Sequence, residues 1–320
     1  MLPGIGVFGT GAVAKVLVPF LREKGFPVEA IWGVTLQEAE NAAKELKISF
    51  FTNKIDDVLL KKNVNLVFIV CAPNLHAQIS VKALGIGKHV VCDKPAGLCQ
   101  AEALKMVRAA QYYPTLISII NHSLRFLPAF THMRKCIADG YLGNPGELTL
   151  IDVRVQMGSL LGDTYNWLCD DTMGGGTLTK RGYLVVRGGD LHGKLHKTAV
   201  KAGEEESKRA QDKEDVIYVD IEDLSCTSSV IPKPYIKGLC KLISALKEAF
   251  LPVKEQMDWI KEPVRSAATF EDGQRVQATM EALRQSNEDG RWTSVQLLTE
   301  TPDPNPAFSA AVRRTAISLQ

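Results

Sequence analysis

The chain has 320 residues, of which 45% are hydrophobic and 23% charged, with a net charge of +2. That length allows two domains with cores of their own, and the balance is that of an ordinary globular protein. Near-neutrality without a basic stripe among aromatics excludes an electrostatic case for nucleic acid, and no apolar run reaches the roughly 18–20 uncharged residues of a membrane span.

Residues 3–24, PGIGVFGTGAVAKVLVPFLREK, read as strand, glycine turn and amphipathic helix. Ile5–Phe8 is the apolar run, and Val13, Val16, Leu17, Phe20 and Leu21 form one helical face. Gly9, Gly11 and Ala14 fit G-x-G-x-x-G/A, a turn that lets the backbone approach a pyrophosphate at a helix N-terminus. Glycine turns of this type also arise for packing alone, so the elements after this one decide its meaning. Residues 2–21 are apolar enough to suggest a secretory leader, but they lack a basic start and carry Lys15 midway. Seven scattered cysteines (71, 92, 99, 136, 169, 226 and 240) never form C-x-x-C, which points to reduced thiols, and no metal site is expected. A cytoplasmic protein is expected, with secretion as the alternative, and the sequon Asn121-His122-Ser123 is read as unglycosylated.

Strands are expected at 27–32, 49–51, 64–70, 89–92 and 116–120, and helices at 35–46, 55–60, 77–86 and 100–110. This alternation predicts an α/β fold with a doubly wound parallel sheet of Rossmann type, and the unbroken apolarity of LVFIV marks a strand buried on both faces. The tip of the second strand, Trp32-Gly33-Val34-Thr35, has neither the acidic residue that holds an NAD ribose nor an arginine for a 2′-phosphate. NADP is therefore preferred over NAD, by subtraction only. Ala72-Pro73-Asn74-Leu75-His76 and Gly87-Lys88-His89-Val90-Val91-Cys92-Asp93-Lys94-Pro95 then close two strands at their C-terminal ends, where open α/β sheets bind ligands.

With Gly9-Thr10-Gly11-Ala12-Val13-Ala14, those two segments and Asn121, Arg125-Phe126 and Pro128, the chain resembles the glucose–fructose oxidoreductase/inositol dehydrogenase (Gfo/Idh/MocA) family of nicotinamide-dependent enzymes. Tyr112-Tyr113-Pro114, residues 124–130, Gly158-Ser159-Leu160-Leu161 and Met173-Gly174-Gly175-Gly176 are similar to the animal glucose–fructose oxidoreductase domain-containing proteins. The resemblance implies that the backbone of residues 9–14 cradles pyrophosphate and that Pro73, Asn74 and His76 lie near the cofactor, with Thr35 and Asn121 as further contacts. It also implies that Lys94 reaches the nicotinamide and the reacting hydroxyl. A lysine between an aspartate and a cationic cofactor can have a lowered pKa and relay a proton. The plainer readings are a solvated lysine at Lys94, a cap or turn residue at Asp93 and a helix-surface histidine at His76.

Residues 1–122 are read as the dinucleotide-binding domain and 123–320 as a shortened α+β second domain of the same family type. Residues 146–156, GELTLIDVRVQ, alternate as a strand with one polar face, a fair opening for an antiparallel sheet. In the resembled family such a sheet covers the substrate and often forms the oligomer interface, so a homo-oligomer is possible if it folds. The resemblance implies a helix carrying Asp and His or Tyr after Met173–Gly176, but Thr177–Gly182 runs straight into 183–191, which resembles a late strand of the relatives' sheet. The domain is expected to be incomplete around 177–182, and Asp190-Leu191-His192 suits a loop tip better than catalysis. Residues 194–215 read as a solvated linker and 216–219 as a short strand. Helices at 234–251 and 270–286, the latter with Phe270, Val276, Met280 and Leu283 inward, a last strand at 292–298 and a loose tail from Pro302 complete the chain. Trp259 and Trp292 are read as packing residues. Two functions remain open: an oxidoreductase moving hydride between nicotinamide and a sugar- or polyol-like hydroxyl, or a weak or inactive dinucleotide-binding protein acting through binding or a partner.

Overall fold

The computed structural model describes residues 2–140, 231–251 and 266–300, with Met173 and Val264. The first half alternates β1 (Ile5–Phe8), α1 (Ala12–Glu23), β2 (Val28–Trp32), α2 (Leu36–Leu46), β3 (Phe51–Thr52), α3 (Ile55–Leu59) and β4 (Leu66–Ile69). It continues with α4 (His76–Gly85), β5 (His89–Asp93), α5 (Gln100–Tyr112) and β6 (Ser118–Asn121). Helix α6 (Pro128–Ala138), α7 (Lys233–Phe250), the two-residue β7 (Ala268–Thr269) and α8 (Phe270–Asp289) come after it. The strands order as β3-β2-β1-β4-β5-β6-β7. All pairs are parallel except β6–β7. This is the doubly wound Rossmann arrangement, with its reversal of strand order beside β1.

Side chains alternate across the sheet and build two apolar layers. Leu66 and Phe68 join Ile5, Val7, Leu17 and Leu21 on one face, whereas Val67 and Ile69 join Phe8, Ile79, Met106 and Phe270 on the other. All four residues of β1 and all four of β4 are buried, which is why those strands read as unbroken apolar runs. On α1 the buried face is Ala14, Leu17, Val18, Phe20 and Leu21, with Val13 and Val16 only partly covered.

The later helices complete this core from both sides. Helix α7 lays Ile236, Leu239, Leu242, Ile243 and Leu246, an i/i+3/i+4 stripe, onto the α1 face. It crosses the 3-10 turn Ser123–Phe126 so closely that a Cβ on Gly238 would stand 2.2 Å from the Ser123 carbonyl oxygen. Helix α8 starts with a capping box between Thr269 and Asp272 and stops at Gly290, φ +64. Its buried face corrects the expected one. Phe270 is fully buried, but the rest of the face is Gly273, Gln274, Gln277, Ala278 and Ala282, and Val276 and Leu283 are exposed. Helix α8 meets α5 at close range, so small residues and amides sit where bulky side chains were expected.

The expected strand at 292–298 is also corrected. The segment joins no ladder, and glutamine side chains take its backbone groups. Gln274 Nε2 donates to Leu298 O at 2.7 Å, Gln100 Nε2 donates to Gln296 O at 3.1 Å, and Leu298 N–H donates to Gln100 Oε1. Trp292, expected to pack, is fully exposed. Among the described residues no helix is long and apolar enough to cross a membrane. The expectations for 146–156, 174–191, the junction at 177–182, the linker at 194–215, the strand at 216–219, Trp259 and the tail from Pro302 lie outside the described residues.

Candidate functional site

The parallel strands deliver the candidate residues to one edge. In register, Phe8 of β1 stands beside Ile69 of β4, Ile69 beside Cys92 of β5, and Asp93 beside Asn121 of β6. The turns at 9–14, 71–76 and 93–95 and the end of β6 are therefore neighbours along the C-terminal edge of the sheet.

The two glycines of the first turn are glycine for different reasons. Gly9 has φ +128, and a Cβ there would lie 2.8 Å from the Val70 carbonyl oxygen, so the close approach of the chain leaving β1 to the chain leaving β4 requires it. Gly11 has φ −74 and ψ −173, ordinary extended backbone, and a Cβ there would meet no atom within 4 Å. Neither conformation nor the chain's own packing asks for glycine at 11. Gly11 caps α1 without a side-chain hydrogen bond, and the first turn (Ala12, Val13, Ala14) carries no acidic residue. The positive helix end and its amides face open space beside a position stripped of its side chain. By contrast, α2 is closed by Thr35, whose Oγ1 accepts from Glu38 N at 3.2 Å while Glu38 Oε2 accepts from Thr35 N at 3.4 Å. Thr35 is thus a cap whose hydroxyl is engaged, and Glu38 is tied back onto it. The Thr10 methyl packs where a Gly33 side chain would otherwise reach, within 3.0 Å.

At the end of β4, Pro73 is buried in the 3-10 turn Pro73–Leu75, and the Asn74 side-chain oxygen is buried with no hydrogen-bond partner. His76 corrects the surface reading, since it is completely buried. Its Nδ1 stands 2.8 Å from Pro95 O and its Nε2 2.9 Å from Cys71 O. A singly protonated ring satisfies one of these carbonyls and a doubly protonated ring both. The imidazole ties the β4 turn to the β5 turn, and neither nitrogen is open to a ligand.

The β5 and β6 ends hold the polar centre. Lys94 is exposed and joined to Pro95 by a cis peptide bond. Asp93 Oδ1 accepts from Lys94 N at 3.0 Å, from Asn121 Nδ2 at 3.3 Å and from the Tyr235 hydroxyl at 3.3 Å. Burial pushes the Asp93 carboxyl above its usual range, against the opposing pull of Lys94, His76 and these donors. Burial and the Asp93 charge likewise push the Tyr235 phenol up, so it stays protonated. His122, next along from Asn121, is pushed down by burial and by Arg125 and Lys94, while Arg125 itself pairs with Asp272 at 2.7 Å. Asn121 Nδ2 also donates to the Tyr235 hydroxyl at 2.8 Å, and Asn121 Oδ1 is buried without a partner.

Asp93, Lys94 and Asn121 are thus brought together, and the turn at 9–14 lies two strands away. Tyr235 was missed by sequence reasoning. The available signal was a tyrosine directly before the apolar stripe of α7, a half-polar residue heading an otherwise buried face.

The family model described as an oxidoreductase family with an NAD-binding Rossmann fold matches residues 4–120. Glucose-fructose oxidoreductase domain-containing protein 1 of Xenopus tropicalis is 36% identical over 394 aligned positions, covering all of both chains. Protein 2 of the same name from Homo sapiens is 35% identical over 385, covering 98% of this chain and 99% of its own. Since this chain has 320 residues, at least 74 positions of the frog alignment lie opposite no residue of it. Among solved structures, a levoglucosan dehydrogenase in complex with NADH is 22% identical at a TM-score of 0.42, over 45% of this chain and 41% of that one. A scyllo-inositol dehydrogenase from Lactobacillus casei is 25% identical at a TM-score of 0.42, over 44% and 43%. This chain therefore spans less than half the length of those solved chains. On the full-length identity to the animal proteins and the match of its Rossmann half, the chain belongs to the glucose–fructose oxidoreductase domain-containing proteins of the Gfo/Idh/MocA oxidoreductase family.

Proposed function

We propose that the chain binds a nicotinamide dinucleotide along the C-terminal edge of its sheet and presents Lys94 to the hydroxyl of a sugar- or polyol-like substrate. The observation that carries the reading is Gly11, a glycine that neither backbone conformation nor protein packing explains, set at the uncapped start of α1. A pyrophosphate there accounts for both features. The buried, unpartnered oxygens of Asn74 and Asn121 mark two further positions along the same edge where an arriving group finds an acceptor. A bound nicotinamide supplies the hydride donor or acceptor. Lys94 holds or takes the hydroxyl proton, with the Asp93 carboxylate fixed beside its backbone. NADP is preferred over NAD, because the tip of β2 has no carboxylate and Glu38 is engaged in the α2 cap.

A second reading is a dinucleotide-binding protein with little or no turnover. It is favoured by the alignment positions that have no counterpart in this chain, which fit a second domain shortened around 177–182 and lacking its acid/base helix. Fluorescence titration with NADPH and NADH tests binding. Gly11→Ala is expected to weaken affinity by at least 10-fold while lowering the melting temperature by only a few degrees, since alanine's poorer capping costs about 1 kcal/mol. If the wild-type chain binds neither cofactor at high micromolar concentration, both readings fail. If a cofactor binds and a panel of polyols and aldoses gives no turnover, the second reading replaces the first.

A further inference from the structure

Hydrogen-bond chemistry singles out one residue at the Lys94 site that the chain supplies from its far end. Helix α7 begins 112 positions after β6 ends, yet the Tyr235 hydroxyl reaches Asn121 at 2.8 Å and both Asp93 oxygens at 3.3 and 3.4 Å. Packing does not need that hydroxyl. Ile236 beside it is buried to 1% and anchors the helix on the α1 face, so phenylalanine would serve the core equally well at 235. We infer that Tyr235 is a positioning residue for the Lys94 site, fixing the Asp93 carboxylate and the Asn121 amide in a single arrangement.

Tyr235 donates its proton toward Asp93 and accepts from Asn121 Nδ2, which uses the hydroxyl in both directions. Turning the Asn121 amide over would press its carbonyl oxygen against the Asp93 carboxylate, so the nitrogen faces Asp93 and Tyr235. Its oxygen is thereby held on the other side, buried and unpartnered, as an acceptor for a group arriving at the strand ends. The phenol is itself no base, because burial and the nearby carboxylate keep its proton on. Its part is to hold the charged form of Asp93, working with Lys94 N. The other titratable groups facing Asp93 are Lys94 on its own strand end, His76 from α4, Cys71 after β4 and Cys92 on β5. Burial pushes the Cys71 thiol up to about 12 and the Cys92 thiol up as well, so both stay neutral near pH 7 and leave the hydroxyl's contribution readable.

The role in cofactor binding rests on the proposed dinucleotide site, whereas the hold on Asp93 does not, and Tyr235→Phe in the full chain separates them. Carboxyl-carbon NMR of the cofactor-free protein reads the Asp93 titration directly. The midpoint is expected to rise in Tyr235→Phe, because a donor to the ionised form is gone, while the melting temperature stays within a few degrees. NADPH is expected to bind about 2- to 10-fold more weakly, the effect of one lost hydrogen bond. An unmoved Asp93 midpoint overturns the inference. If the wild-type chain fails to bind NADPH, the dinucleotide reading falls, and a moved midpoint still supports the positioning role. Should Tyr235→Phe not fold, Tyr235→Met removes the same hydroxyl behind a flexible apolar side chain; it is expected to raise the midpoint too, and an unmoved one there is equally fatal.

Discussion

Asp93 is a half-buried residue whose carboxyl the fold desolvates for a reason other than stability. Burial raises its pKa above the usual range despite three donors and the neighbouring Lys94. The folded state therefore holds this proton at pH values where an unfolded chain, with an ordinary carboxyl near about 3.9, has lost it. Its favourable contribution is present below that ordinary value and is lost as pH rises through the raised one. At neutral pH the ionised group weighs against the fold. Asp93→Asn keeps an acceptor for Lys94 N and Tyr235 without the charge, so it is expected to raise the melting temperature at pH 7–8. The gain should shrink steadily as the pH is lowered toward 4. Thermal unfolding followed by circular dichroism at several pH values reads both effects. A variant less stable than wild type at pH 8 would show that the carboxylate's hydrogen bonds outweigh its burial. Gly11 belongs to the same class of residue, keeping open a space that the fold alone does not use.

At the scale of elements, α7 is held to the rest of the chain by contact so close that one methyl group decides it. The Ser123 carbonyl carbon lies 2.6 Å and its oxygen 2.2 Å from where a Gly238 Cβ would be, both on backbone that cannot swing aside. Gly238→Ala is expected to destabilise by about 1–3 kcal/mol through overpacking, despite alanine's better helix propensity. Urea unfolding measures it, and a neutral or stabilising result would mean that α7 can ride outward without loss. This crossing was invisible in the sequence, where Gly238 is merely a glycine inside an amphipathic stripe. What was legible were elements whose own residues carry the period: the unbroken apolar runs of β1 and β4 and the i/i+3/i+4 stripe of α7. Elements shaped by a partner were not. Helix α8 buries Gln274 and Gln277 because they bond Leu298 O and Gly97 O, and 292–298 stays out of the sheet because Gln100 and Gln274 occupy its amide and carbonyls. The glycine turn and the Asp93-Lys94 pair stood out by residue type and place. His76 stood out by place but not by its ties, and Tyr235 did not stand out at all, since their meaning comes from Pro95, Cys71, Asn121 and Asp93, which only the fold brings to them.

For the whole molecule, the sheet is flanked by helices from both ends of the chain. α1 and α7 cover one face, and α4, α5 and α8 the other, with β7 added antiparallel at the edge. The dinucleotide half is consequently not complete at β6. Ile236, Leu239, Leu242, Ile243 and Leu246 are each no more than 1% exposed, and all belong to the same cluster as Ile5, Leu17, Leu66 and Phe68. Burying five such side chains is worth about 7–15 kcal/mol at roughly 1.5–3 kcal/mol each. That equals the whole net stability of a typical domain, about 5–15 kcal/mol. Ending the chain there also takes Phe270 out of the opposite layer and, with β7 gone, leaves β6 as an open edge. A chain ended at residue 230 is therefore expected not to fold cooperatively, even though it keeps the glycine turn, Lys94 and Asn121. Near-UV circular dichroism and a thermal melt test this: the full chain should give one sigmoidal transition and the truncated one none, with dye binding to exposed apolar surface. A truncated chain melting within a few degrees of the full one would mean that the first six strands and their helices close a core unaided.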